Sequence, residues 1–117
     1  MENSIRSTLT DDGTIHVTVS GEVDFSNADD VAQAIRDVIA ESSPPAIRVD
    51  LRDATFIDST GLGALIEGYR AATEAGTEFV VINPRESFRR VLTVTGLSDF
   101  FGLPELSEAE QSSATGA

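Results

Sequence analysis

The chain has 117 residues, 40% of them hydrophobic, which is enough for one compact domain with its own core and too few for two. Twenty acidic residues against eight arginines and no lysine give a formal net charge of −12, which repels nucleic acid and anionic lipid surfaces and excludes both as expected partners. Cysteine is absent and histidine occurs once, so disulfides, thiol nucleophiles and His/Cys metal sites are excluded, and no cofactor is expected.

Ile5 and Leu9 among polar neighbours predict a short first strand, and Asp11-Asp12-Gly13 marks a hairpin turn. Ile15, Val17 and Val19 alternate with His16 and Thr18, predicting a second strand with one apolar face. His16 falls on the polar face, as a solvated histidine with no nucleophile or metal partner near it in sequence. Ala28, Val31, Ala32, Ile35, Val38 and Ile39 form a helical stripe, with Ser26 as the expected N-cap and Ser42-Ser43-Pro44-Pro45 ending the helix. Asp24 closes the second strand. At a strand's C-terminal end it serves either a docking partner or the capping of its own loop.

The central stretch, Ile47 to Gly63, reads IRVDLRDATFIDSTGLG. Ile47, Val49 and Leu51 alternate with Arg48, Asp50 and Arg52, predicting a strand with one buried and one wetted face that runs into a loop. A helix follows, its apolar stripe expected at Leu62, Leu65, Ile66, Tyr69 and Ala72. Asp58, Ser59 and Thr60 are good N-cap types at its entrance, and Gly61 and Gly63 leave the first turn open to close approach. Helix N-termini favour negative charge, so a phosphate on Ser59 would change the surface and leave the fold intact.

Gly76 is the expected end of that helix, and Glu78 to Asn83 (EFVVIN) reads as an interior strand. Pro84 opens a last helix with Phe88, Val91 and Leu92 on its buried stripe and Arg85, Arg89 and Arg90 off it; Gly96 ends it. Leu97, Phe100, Phe101 and Leu103 predict an apolar return segment, and residues 107–117 a frayed or disordered tail. The N-terminus lacks a basic segment followed by an apolar one, and no run approaches the roughly 20 apolar residues of a spanning helix, so a cytoplasmic location is expected. The element order predicts an α/β domain: a four-stranded mixed sheet, with helices mainly on one face.

GEVDFSNA (Gly21 to Ala28) followed by DSTGLG (Asp58 to Gly63), in this element order, resembles the STAS domain of bacterial anti-sigma factor antagonists, and TGLSDFFGL (Thr95 to Leu103) fits the same family. The resemblance implies a STAS domain over residues 1–106. It also implies a mechanism: the unmodified protein binds an anti-sigma factor that is an ATP-dependent serine kinase, so freeing a sigma factor. Phosphorylation of the motif serine ends the complex, and a serine phosphatase restores it. Carried over by position, Ser59 is the phosphoacceptor, while Asp24, Asp58, Thr60, Gly61, Leu62 and Gly63 lie at the kinase-docking surface.

Two other readings compete. A serine at a strand-to-helix turn also describes a nucleophile elbow, but D-S-T-G lacks the preceding glycine of G-x-S-x-G, and no base is placed near Ser59, so the chain is not expected to be an enzyme. A phosphotransfer carrier using Asp58 lacks an identifiable acidic metal pocket. The third class is a STAS subunit of a transporter or multi-protein signalling assembly, with the same fold and another partner.

Overall fold

The computed structural model describes residues 5–97, in the order β1 (Ile5–Leu9), β2 (Ile15–Val19), β3 (Gly21–Val23), α1 (Ala28–Ser42), β4 (Ala46–Asp50), β5 (Ala54–Ile57), α2 (Ser59–Ala75), β6 (Glu78–Ile82) and α3 (Glu86–Thr95). The expected return segment beyond Leu97 and the tail at 107–117 lie outside the described residues. The main sheet has four strands in the order β1-β2-β4-β6, with β1 antiparallel to β2 and the rest parallel. Ile15, Ile47 and Phe79 stand in register across it, as do Val17, Val49 and Val81, and all six are buried. Period-two alternation on three neighbouring strands thus makes one continuous apolar face.

Helices α1 and α2 cover that face. Val31, Ala32, Ile35 and Ile39 are buried from α1, and Ala64, Leu65, Gly68 and Ala72 from α2. The α2 stripe differs from the expected one. Leu65 and Ala72 are buried as expected, but Leu62, Ile66 and Tyr69 are only half-buried, and Gly61, Ala64 and Gly68 complete the buried line. The reason is close helix packing. A Cβ on Gly68 would lie 2.8 Å from Ile35 Cδ1, so only the smallest residue lets the helices approach there, and the larger side chains flank the seam.

Two short strands went unread in the sequence. The segment after Leu51 is not simply a loop: β5 pairs in parallel with β3 to form a separate two-stranded sheet. Asp50 is a second correction, since the wetted-face reading fits Arg48 and Arg52 but not this residue, which is 8% exposed. His16 Nε2 lies 3.0 Å from Asp50 Oδ2, while the Arg52 N–H and Asn83 Nδ2 donate to Oδ1 at 2.9 and 3.2 Å. Burial pushes the Asp50 pKa up, and these hydrogen bonds outweigh it, leaving the carboxyl below its ordinary value. His16 is therefore a half-buried partner of Asp50 and not a solvated histidine. On α3, Phe88 and Leu92 are buried as expected, but Val91 is exposed. Its neighbour Arg85 donates from Nε to the Ala54 carbonyl at 3.0 Å, which ties the start of α3 to β5.

Candidate functional site

The carboxyl ends of β3 and β5 define the site. Val23 and Ile57 are register partners, and the Asp58 N–H donates to the Val23 carbonyl at 3.1 Å. The two motifs that the sequence keeps far apart are thereby joined edge to edge. Gly61 completes the joint. A Cβ there would sit 2.7 Å from Ile57 Cγ2, 2.9 Å from Val23 Cγ1 and 3.0 Å from the Val23 carbonyl oxygen. The glycine is buried, so its missing side chain admits the protein's own strand and not an external partner, contrary to the reason expected for it.

Asp58 is the N-cap of α2, in extended backbone, and its Oδ1 accepts from the Thr60 N–H at 2.9 Å, the Gly61 N–H at 3.0 Å and the Thr60 hydroxyl at 2.6 Å. Those hydrogen bonds, led by the Thr60 hydroxyl and then the Gly61 amide, hold the Asp58 carboxyl below its ordinary pKa. Ser59 is the first residue of the helix. It is exposed, and its hydroxyl has no hydrogen-bond partner among the described residues. The two adjacent hydroxyls are thus unlike: Thr60 is held by the cap, and Ser59 faces solvent.

Asp24 is half-buried, and its Oδ1 accepts from the Ser26 N–H at 3.0 Å and the Ser26 hydroxyl at 2.6 Å. The loop-capping role is therefore present in the structure, in a loop that sits beside the Ser59 turn. Asn27, not Ser26, is the N-cap residue of α1 by position; its side chain accepts from the Asp24 N–H and donates to the Glu22 carbonyl, bracing the loop. Leu62 is half-buried and packed against the core, while a Cβ on Gly63 would meet nothing within 4 Å. Of the expected residues, Asp24, Asp58, Ser59, Thr60 and Gly63 thus share one accessible region, Leu62 straddles its edge and Gly61 lies beneath it.

Sequence reasoning missed Phe25. This ring is 75% exposed, at the mouth of a groove between α1 and α2 that Ala28, Ala32, Gly63 and Ala64 line; the Arg36–Glu67 ion pair, at 3.0 Å, borders it too. The available signal was a bulky aromatic next to Asp24 in an otherwise polar loop. Among the described residues no three His, Asp or Glu side chains are grouped to hold a metal ion.

The family model of the STAS domain matches residues 6–113. The chain belongs to the STAS domain family. Among curated proteins, this STAS domain is 30% identical over 99 residues to an anti-sigma-B factor antagonist of Listeria monocytogenes, covering 85% of this chain and 86% of that one. Among solved structures, an anti-sigma factor antagonist from Mycobacterium paratuberculosis is 38% identical, with a TM-score of 0.68 and 93% of each chain covered. A sulfate transporter family protein from Wolinella succinogenes is also similar, at 25% identity and a TM-score of 0.64, over 74% of this chain and 70% of that one. The Listeria and Mycobacterium relatives are both named as anti-sigma factor antagonists.

Proposed function

We propose that this STAS domain is an anti-sigma factor antagonist, working in the cytoplasm as a phosphorylation switch. Its unmodified form binds an anti-sigma factor with serine kinase activity and frees a sigma factor; a phosphate on Ser59 ends the complex, and a serine phosphatase restores it. The observation that carries this reading is the state of Ser59: an exposed, unengaged hydroxyl on the first residue of α2, between a carboxylate cap and a threonine already held by that cap. The names of the Listeria and Mycobacterium relatives support the antagonist class.

Phosphate on Ser59 adds about −1.5 to −2 charges beside Asp58. Asp58 already accepts the Thr60 and Gly61 amides, so the phosphate finds those two donors taken and remains a solvent-facing charge. A docked partner must desolvate it, and an unpaired interfacial charge costs about 2–5 kcal/mol, or tens- to thousands-fold in affinity. Asp24, Asp58, Thr60, Leu62 and Gly63 form the docking surface around it, with Gly61 setting the angle of the turn.

The test is a binding titration of wild type and Ser59→Asp against the anti-sigma serine kinases of the same organism. Tight binding by wild type, lost in Ser59→Asp, is the expected result; no binding by wild type to any of them overturns the reading. The Wolinella neighbour motivates a second reading, a STAS subunit of a transporter or signalling assembly, and that second outcome would favour it.

A further inference from the structure

The docking surface carried over from the family motif comprises Asp24 and the α2 turn, but the exposed apolar surface extends beyond them. Phe25 is 75% exposed, immediately after Asp24 and at the mouth of the α1–α2 groove. An aromatic ring left in water forgoes the free energy that its burial would release. Its position is not accidental to its loop: Asp24, Ser26 and Asn27 fix the backbone on both sides of it by side-chain hydrogen bonds. The ring is thus presented by a rigid loop, and little ordering would accompany its burial.

The groove it overlooks is shallow because its lining is small: Ala28 and Ala32 from α1, Gly63 and Ala64 from α2. Its charged borders are more acidic than basic. Asp29 and Glu67 line it, Asp24 and Asp58 stand next to Phe25 and Thr60, and the one cation lining it among the described residues, Arg36, is paired with Glu67. The Thr60 end of the groove adjoins the Ser59 turn, so a partner covering that turn extends into it without a break. We infer that Phe25 and the α1–α2 groove are the specificity-determining part of the interface, receiving an apolar side chain flanked by basic groups on the same kinase that reads Ser59.

This rests on the antagonist reading and divides its surface into two tasks. The Ser59 turn reports modification, whereas Phe25 and the groove select which kinase is bound. An apolar ring at the edge of a carboxylate-rich rim favours a complementary partner and penalises one that brings an acidic or polar group there.

Two variants test it from opposite directions. Phe25→Ala removes the ring, and Asp29→Arg reverses the charge of an exposed groove residue that lies outside the Ser59 docking surface. Each is titrated by calorimetry against every purified anti-sigma serine kinase of the same organism, alongside wild type and Ser59→Asp. Urea midpoints serve as the control on folding. For the kinase that wild type prefers, both variants are expected to weaken binding about tenfold or more, the range of an interface anchor, with little change in urea midpoint. The preference of wild type for that kinase over the others should shrink in Phe25→Ala. If wild type binds and Ser59→Asp does not, yet both variants keep wild-type affinity, the groove inference is overturned and the switch stands. If wild type binds none of the kinases, both fall together.

Discussion

At Ser59 and Thr60, two neighbouring hydroxyls differ in what holds them, and under the proposed switch this favours Ser59 as the acceptor. Thr60 Oγ1 lies 2.6 Å from Asp58 Oδ1, so attack from it would first break a charge-assisted hydrogen bond, while Ser59 has none to break. Incubation with the cognate kinase and ATP is expected to place phosphate on Ser59, mapped by mass spectrometry; labelling of Ser59→Ala at the wild-type rate would overturn the assignment. The two glycines of the same turn should respond with opposite signs. Gly61→Ala forces a Cβ into Ile57 and the Val23 backbone and is expected to lower the unfolding free energy by about 1–3 kcal/mol in urea titrations. Gly63→Ala has open space and a helical backbone, and is expected to raise it by about 0.5–1 kcal/mol. Leu62→Ala should fall short of the roughly 2–5 kcal/mol of a fully buried leucine, because the side chain is half-buried.

Among the elements, β2, β4 and the end of β6 are joined by a part-buried polar network in which His16 and Asn83 meet the buried Asp50. Asp50→Ala removes the acceptor shared by the Arg52 amide and the Asn83 side chain, both on exposed residues, and is expected to cost about 0.5–1.5 kcal/mol by urea titration, with His16→Ala costing less. Asp50, Asp58 and Asp12 all have carboxyls held below the ordinary value, Asp12 at about 2 through its hydrogen bonds with the Thr10 hydroxyl and the Thr14 amide. A depressed folded-state pKa stabilises above the unfolded value of 3.8 and loses that contribution as pH falls through the folded value. The urea midpoint is therefore expected to be level on this account above pH 5 and to fall from about pH 4 toward 2, with a shallower fall in Asp50→Asn. The strands and helices bounded by strong alternation or by Gly76, Gly96 and Pro44-Pro45 were legible in the sequence. Strands β3 and β5 were not, because each buries little and they hold only each other: Ala54 is buried in β5 and Val23 in β3, while Glu22, Thr55 and Phe56 are exposed. Asp50 was misread for a related reason. Alternation tells which face a side chain leaves by, but not that His16 and Asn83 wait on that face. The Ser59 turn was legible as a motif, whereas Phe25 depended on seeing two helices side by side.

For the whole molecule, the proposed phosphorylation would act on a chain that is already strongly negative, with a formal net charge of −12. The helix N-terminus favours the added charge by a few tenths to about 1 kcal/mol, and Asp58 opposes it at similar range, so the phosphoprotein is expected to melt within a few degrees of the unmodified form. A loss of many degrees would replace the surface switch with an unfolding switch. Association with a basic partner should be steered by the field of the chain, and its rate constant, measured by stopped flow, is expected to fall as salt rises. The hydrogen bond from the Asp58 amide to the Val23 carbonyl bears on how quickly such a switch can act. Because that bond and the seated Gly61 hold the Val23 and Asp58 backbones together, the proposed switch at Ser59 would need no refolding of the turn before or after phosphate transfer. In that case the Asp58 amide should exchange with deuterated solvent equally slowly before and after modification.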